Sequence, residues 1–133
     1  RLRERFLNSN TAFGTLKNRV DRAAEKSYLK GLDGRKIFLR HKHAALNSLL
    51  QGGGAVAMKK AMCFLDELIN LNGIDAKFVA NIHDEWQIEV LESQADFVGR
   101  LGVEAIEKVG DHYNMRCPLT GEYKIGDSWY ETH

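Results

Sequence analysis

The stretch Val79-Ala80-Asn81-Ile82-His83-Asp84-Glu85-Trp86-Gln87-Ile88-Glu89-Val90 constrains the fold of this chain more than any other. Phe78, Ala80 and Ile82 keep a period of two before the acidic pair, and Trp86, Ile88 and Val90 repeat it afterwards. That period predicts two half-buried antiparallel strands joined by a tight turn. Asp84 and Glu85 then sit together at the tip. Adjacent carboxylates repel, and a turn that keeps both ionised is commonly supplied with a cation. A solvated acidic turn has the same spacing, so the hairpin alone leaves both readings open.

Elsewhere the period changes to that of helices. Phe6, Phe13, Leu16, Val20, Ala23 and Ala24 predict an amphipathic helix over about residues 3–26, interrupted near residues 8–10. Asp33-Gly34 predicts a hairpin turn between residues 28–32 and 35–39. A second helix is expected over about 43–72, ending at Gly73, which can take the left-handed conformation of a C-terminal cap. Gly52-Gly53-Gly54 lies inside it, although each glycine costs a helix roughly 1 kcal/mol relative to alanine. The run therefore suggests a close backbone approach, a bend or a break. Ser93 is the expected N-cap of a third helix reaching about residue 113, with Phe97, Leu101, Ile106 and Val109 inward, and residues 119–125 read as a last short strand. The predicted fold class is α+β: long helices packed on antiparallel β-hairpins.

At 133 residues, 44% apolar and with one proline, the chain has enough material for a packed core and too little polarity for disorder. The opening Arg1-Leu2-Arg3-Glu4-Arg5 has no initiator Met and no signal-like character, which suggests an N-terminus made by truncation. No apolar run approaches membrane-spanning length, so the expectation is a cytoplasmic protein with no membrane partner. Cys63 and Cys117 lack metal-ligand or redox spacing and are expected to be buried, reduced core residues without a role.

A net charge of +1 says little about partners, but its distribution says more. Arg35-Lys36-Ile37-Phe38-Leu39-Arg40-His41-Lys42-His43 is a local positive run, whereas Asp84, Glu85, Glu89 and Glu92 make the later hairpin negative. The pair of patches suits a polyanion held at one end by metal ions, and an exposed strand with solvated lysines is the plainer meaning of the basic run. His43, Asn47 and Gln51 recur every four residues and form a slowly drifting stripe on one helix face. Hydrogen-bond donors in such a row can follow the minor groove of a duplex, where every correct base pair presents acceptors. An ordinary polar helix face has the same pattern.

Ile82-His83-Asp84-Glu85, with Val90 five positions later, resembles the last sequence motif of the family A DNA polymerases, the bacterial polymerase I-like enzymes and their short-tailed-phage relatives. Lys30-Gly31-Leu32-Asp33-Gly34-Arg35-Lys36, then His43-Ala44-Ala45-Leu46-Asn47-Ser48-Leu49-Leu50-Gln51, resembles the phage branch of that family. So does Gly110-Asp111-His112-Tyr113-Asn114-Met115-Arg116-Cys117, followed by Trp129 and the terminal His133. The resemblance covers nearly the whole chain in register. Three consecutive glycines at 52–54 depart from the small residues usual there.

The resemblance implies a C-terminal part of a DNA-directed DNA polymerase, with residues 1–39 the end of the fingers and 40–133 the distal palm. It implies template-dependent nucleotidyl transfer with two Mg²⁺ ions, primer-template DNA and deoxynucleoside triphosphates as partners, and a bacterial host cytoplasm if the protein is phage-encoded. Asp84 would be a bridging metal ligand, Glu85 a contributor to the field around the metals, and His83 a support for the primer terminus or the turn. His43, Asn47 and Gln51 would track the minor groove, and Arg35, Lys36, Arg40 and Lys42 would contact DNA. The family's first catalytic Asp and its nucleotide-binding helix are not found: Arg22 and Lys26 have the initial spacing but no Tyr-Gly follows. Activity would therefore need the missing N-terminal part, in the same or a second chain. Two other readings are a duplex-binding fragment without chemistry, and a metal-dependent nuclease using Asp84, Glu85 and an acid such as Glu122 or Asp127.

Overall fold

The computed structural model describes residues 2–133; Arg1, which opens the basic N-terminal run and the first assigned domain, lies outside the described residues. The order of elements is α1 (Leu2–Ser9), α2 (Thr11–Ala24), β1 (Tyr28–Lys30), β2 (Lys36–Phe38), α3 (Ala45–Leu71), β3 (Ala76–Ile82), β4 (Glu85–Val90), α4 (Glu92–His112) and α5 (Trp129–Thr132). The α+β class predicted from periodicity is what the chain adopts. It divides into two compact units, Arg1–Gly53 and Gly54–His133, with the division inside α3.

In the first unit the helical period breaks at Asn10, close to where the sequence places the interruption. The Asn10 side chain accepts from the Phe13 backbone N–H at 3.2 Å and so satisfies one of the free donors that open α2. Val20, Ala24, Leu29 and Ala45 are buried, and Ile37, Leu39, Leu46 and Leu49 close around them. The hairpin β1–β2 is antiparallel, pairing Tyr28 with Phe38 and Lys30 with Lys36. Asp33 and Gly34 lie in its turn as predicted, but the strands are shorter than 28–32 and 35–39 and residues 31–35 join them; Gly34 takes φ +84, and Asp33 Oδ1 accepts from the Arg35 N–H at 3.2 Å. Such a φ strains any residue with a Cβ.

In the second unit, Leu65, Ile69, Ile74, Val98, Leu101 and Ala105 form the core, with Phe64, Leu68, Ala76, Phe78, Trp86, Ile88 and Val90 packed against it. Leu65 is fully buried, so its truncation to Ala should cost about 2–5 kcal/mol. Gly73, at φ +63, ends α3 as predicted. Its N–H bonds the Asn70 carbonyl and the Ile74 N–H bonds the Ile69 carbonyl, both at 3.1 Å, which satisfies carbonyls left free at the helix end.

Several expectations are corrected. The α-helix begins at Ala45, and His43 sits in a preceding 3-10 turn, Lys42–Ala44. The three glycines do not break α3, which runs on through them; an added Cβ would meet nothing within 4 Å at Gly53 or Gly54. Ser93 is inside the first turn of α4, and Leu91 occupies the cap position without a capping bond. The inward face of α4 is Val98, Leu101, Ala105 and Val109, whereas Phe97 is 40% exposed. Cys63 and Cys117 are both exposed.

Residues 119–125 form no strand. They lie along α4, and the side of a helix has no free backbone edge for a strand to pair with. Tyr123 O–H donates to Asp96 at 2.7 Å, Thr120 O–H donates to Glu107 at 3.4 Å, and Leu119 lies over Gly110. At Gly99 a Cβ would stand 2.2 Å from the Tyr123 ring, so the missing side chain is the space that the ring fills. This strap runs back along α4 and delivers α5 to β4.

Candidate active site

Two residues, His83 and Asp84, make the whole turn between β3 and β4, because Ile82 pairs directly with Glu85. His83 takes φ 55, a conformation that histidine tolerates better than branched residues. Positive φ at the first central residue only is the sign pattern of a primed turn, whose twist matches that of the strands. The turn therefore holds Asp84 by short-range geometry alone. His83 and Asp84 are both exposed.

The strands do not present one continuous apolar face. Between Phe78 and Ala80 the register shifts, leaving Val79 without a partner. Residues directly opposed in an antiparallel pair share a face. Phe78 opposes Ile88 on the core side, but beyond the bulge Ala80 opposes Gln87 and Ile82 opposes Glu85. Ala80 and Ile82, predicted to point the same way as Phe78, therefore lie on the opposite face from it. Trp86 opposes Asn81, whose amide reaches toward Met62 Sδ on α3 at 4.0 Å, and Ala80 and Ile82 share the other face with Glu85 and Gln87. Phe78 and Trp86 both pack on the core of their own unit.

The two neighbouring acids have different surroundings. Gln87 donates its amide N–H to Glu85 Oε1, and His133 Nδ1 lies 3.1 Å from Glu85 Oε2. The Gln87 amide first, and then His133, hold the Glu85 carboxyl below the usual carboxylate range against the opposing pull of partial burial. Asp84 makes no side-chain hydrogen bond or ion pair among the described residues. No three His, Cys, Asp or Glu side chains among the described residues come together as a metal-holding group, so Glu122 and Asp127 do not complete a site with the acidic pair. The turn thus offers a divalent cation one free, exposed carboxylate. That fits Mg²⁺, which takes one or two carboxylates and fills its remaining positions with water and phosphate oxygens.

In the first unit, His43, Asn47 and Gln51 are all exposed, Asn47 and Gln51 on α3 and His43 in the 3-10 turn before it. The His43 ring stacks on His41 with centroids 5.4 Å apart. The four cations differ. Arg35 pairs with Asp33 at 2.5 Å, and the Lys36 ammonium lies 4.9 Å from the centroid of the Tyr28 ring. Arg40 and Lys42 are exposed and make no ion pair among the described residues.

Gln87, Thr132 and His133 were missed by reasoning from sequence. Gln87 was legible in principle, since it lies two residues after Glu85 and so on the same strand face. Thr132 and His133 carry no local signal, because 45 and 48 residues separate them from the side chains they touch.

Comparison with known proteins is decisive for the family. The model of DNA polymerase family A matches residues 5–131. The chain is 37% identical over 139 aligned positions to a DNA-directed DNA polymerase of Escherichia phage Phieco32, covering 99% of this chain and 23% of that protein. It is 33% identical to the DNA-directed DNA polymerase of Escherichia phage T7, covering 99% of this chain and 22% of the relative. It is 32% identical to DNA polymerase I of Aquifex aeolicus, covering 96% and 23%. The fold matches the POL domain of Pol1 from M. smegmatis, solved in complex with DNA primer-template and dNTP, with a TM-score of 0.72 at 24% identity over 87% of this chain and 22% of that one. The chain therefore spans less than a quarter of the length of these relatives. Matched by the family model over all but its extreme ends, it belongs to DNA polymerase family A.

Proposed function

We propose that this chain supplies part of the nucleotidyl-transfer site of a template-dependent DNA-directed DNA polymerase. Residues 1–39 are assigned to the end of the fingers and 40–133 to the distal palm. The observation that carries the reading is Asp84: an exposed carboxylate without a protein partner among the described residues, fixed by a two-residue turn, in a chain that the family model matches over residues 5–131.

Asp84 offers a hard anionic oxygen to a divalent cation. Two Mg²⁺ ions, when bound, favour the deprotonated primer 3′-hydroxyl and neutralise charge on the triphosphate and the departing pyrophosphate. His83, the chain neighbour of Asp84, supports the primer terminus. Glu85, held by Gln87 and His133, adds negative charge to the field without being free to act as a ligand. His43, Asn47 and Gln51 donate hydrogen bonds to minor-groove acceptors, which are common to all correct pairs. Arg40 and Lys42 neutralise backbone phosphates, and Arg35 and Lys36 contribute less because Asp33 and the Tyr28 ring already engage them. The second bridging carboxylate and the residues that grip the triphosphate come from the rest of the polymerase. A phage-encoded enzyme of this kind works in its host's cytoplasm.

The test is Asp84→Asn in the polymerase that carries this chain. Turnover should fall about a hundredfold or more while primer-template affinity stays within about twofold, because the lost charge serves a metal and not the duplex. Equal losses of rate and of DNA affinity would contradict the assignment.

A further inference from the structure

Thr132 and His133 meet the strand that starts at Glu85. Thr132 Oγ1 donates to Gln87 Oε1 at 3.1 Å, Gln87 in turn donates to Glu85 Oε1, and His133 Nδ1 lies 3.1 Å from Glu85 Oε2. The edge of the Trp129 indole stands against the His133 ring, with centroids 5.5 Å apart. Both oxygens of one carboxylate are thereby held, one through Gln87 and one by His133. Thr132 has no ionisable group, so its bond to Gln87 acts on Glu85 only through orientation. The strap on α4 brings these residues to β4, anchored where the Tyr123 ring fills the space above Gly99.

We propose that α5 is a strut that fixes the Glu85 carboxylate, and that Thr132 and His133 are positioning residues for the turn bearing Asp84. The reasoning is steric and electrostatic. Glu85 is the chain neighbour of Asp84, and a free glutamate beside it has rotamers that swing toward the same cation or repel the aspartate. Bonds to Gln87 and His133 select one rotamer and direct both oxygens to the face that carries α5. Asp84 is left as the carboxylate that a metal meets. This inference rests on the proposed role of Asp84, but the contacts that define the strut do not.

Two measurements separate the strut from that role. In the purified 133-residue chain, Thr132→Val and His133→Ala should each raise the exchange rate of the Glu85 and Gln87 backbone amides by about fivefold, the loss expected for one exposed hydrogen bond. Unchanged exchange in both variants would overturn the strut, whether or not the polymerase reading holds. In the active polymerase, His133→Ala should lower kcat with KM for nucleotide unchanged. Combined with Glu85→Gln it should cost no more than the larger single effect, and His133→Gln, which retains a donor, should restore most of the rate. Fully multiplicative losses in the double variant would also overturn the strut. If Asp84→Asn leaves turnover intact while the amides respond as stated, the polymerase assignment fails and the strut stands.

Discussion

Asp84 and Glu85 are chain neighbours in opposite circumstances: Glu85 is bound at both oxygens, by Gln87 and by His133, and Asp84 has no side-chain partner among the described residues. A carboxylate already committed to two neighbours is a poor ligand, whereas a free one at a tight turn is a good one. Glu85→Gln should therefore slow nucleotide addition by about tenfold at most, well short of the effect of Asp84→Asn. Single-turnover rates of the two variants would rank the acids, and equal severity would reverse the assignment.

The glycines of α3 allow a clean stability prediction. Gly53 and Gly54 are helical, and an added Cβ would meet no atom within 4 Å at either position. Gly53→Ala and Gly54→Ala should each stabilise the chain by up to about 1 kcal/mol, since alanine loses less backbone entropy on folding and nothing obstructs it. Chemical denaturation would show the gain as a higher midpoint, and a lower one would mean that the helix is not continuous there.

Gly99 should behave in the opposite way, although it too lies within a helix. Its Cβ would stand 2.2 Å from the Tyr123 ring, so Gly99→Ala must displace the strap and should cost about 1–3 kcal/mol despite alanine's better helix propensity. Adding Tyr123→Ala should recover part of that loss. A double variant no more stable than Gly99→Ala alone would remove the ring from the explanation.

These glycines show which parts of the fold were legible in the chain. Gly34 and Gly73 announce themselves because a positive φ is a local demand, met within a few residues of the turn or cap it serves. The acidic hairpin was legible for the same reason. The bulge at Val79 was not, since burial still alternates along β3 while the register shifts beneath it. Alternation reports which residues are covered but not on which face: Phe78 packs on the core, whereas Ala80 and Ile82 lie on the face with Glu85 and Gln87. The strap read as a strand because its composition suits one, but its partner is a helix. Asp84, His43, Asn47 and Gln51 were singled out by local spacing together with the family resemblance, whereas the contact of His133 with Glu85 spans 48 residues.

The exposed row on the first unit predicts a particular pattern of loss. Gln51→Ala and His43→Ala should weaken duplex binding to a similar degree on every sequence, because minor-groove acceptors do not distinguish one correct pair from another. They should also blunt the slowing of extension after a mismatch. Extension from matched and mispaired primer termini measures both. Discrimination equal to that of the unmodified enzyme would leave these residues as an ordinary polar helix face.

The central claim, that Asp84 belongs to a composite site completed by residues outside this chain, is tested most directly by primer extension. The purified 133-residue chain would be assayed with Mg²⁺, first alone and then mixed with the N-terminal remainder of a phage relative. One free carboxylate gives a hydrated cation few protein ligands. The account predicts no extension from the chain alone, extension on mixing, and none on mixing when the chain carries Asp84→Asn. Extension by the chain alone, or an Asp84→Asn mixture as active as the unmodified one, would contradict it.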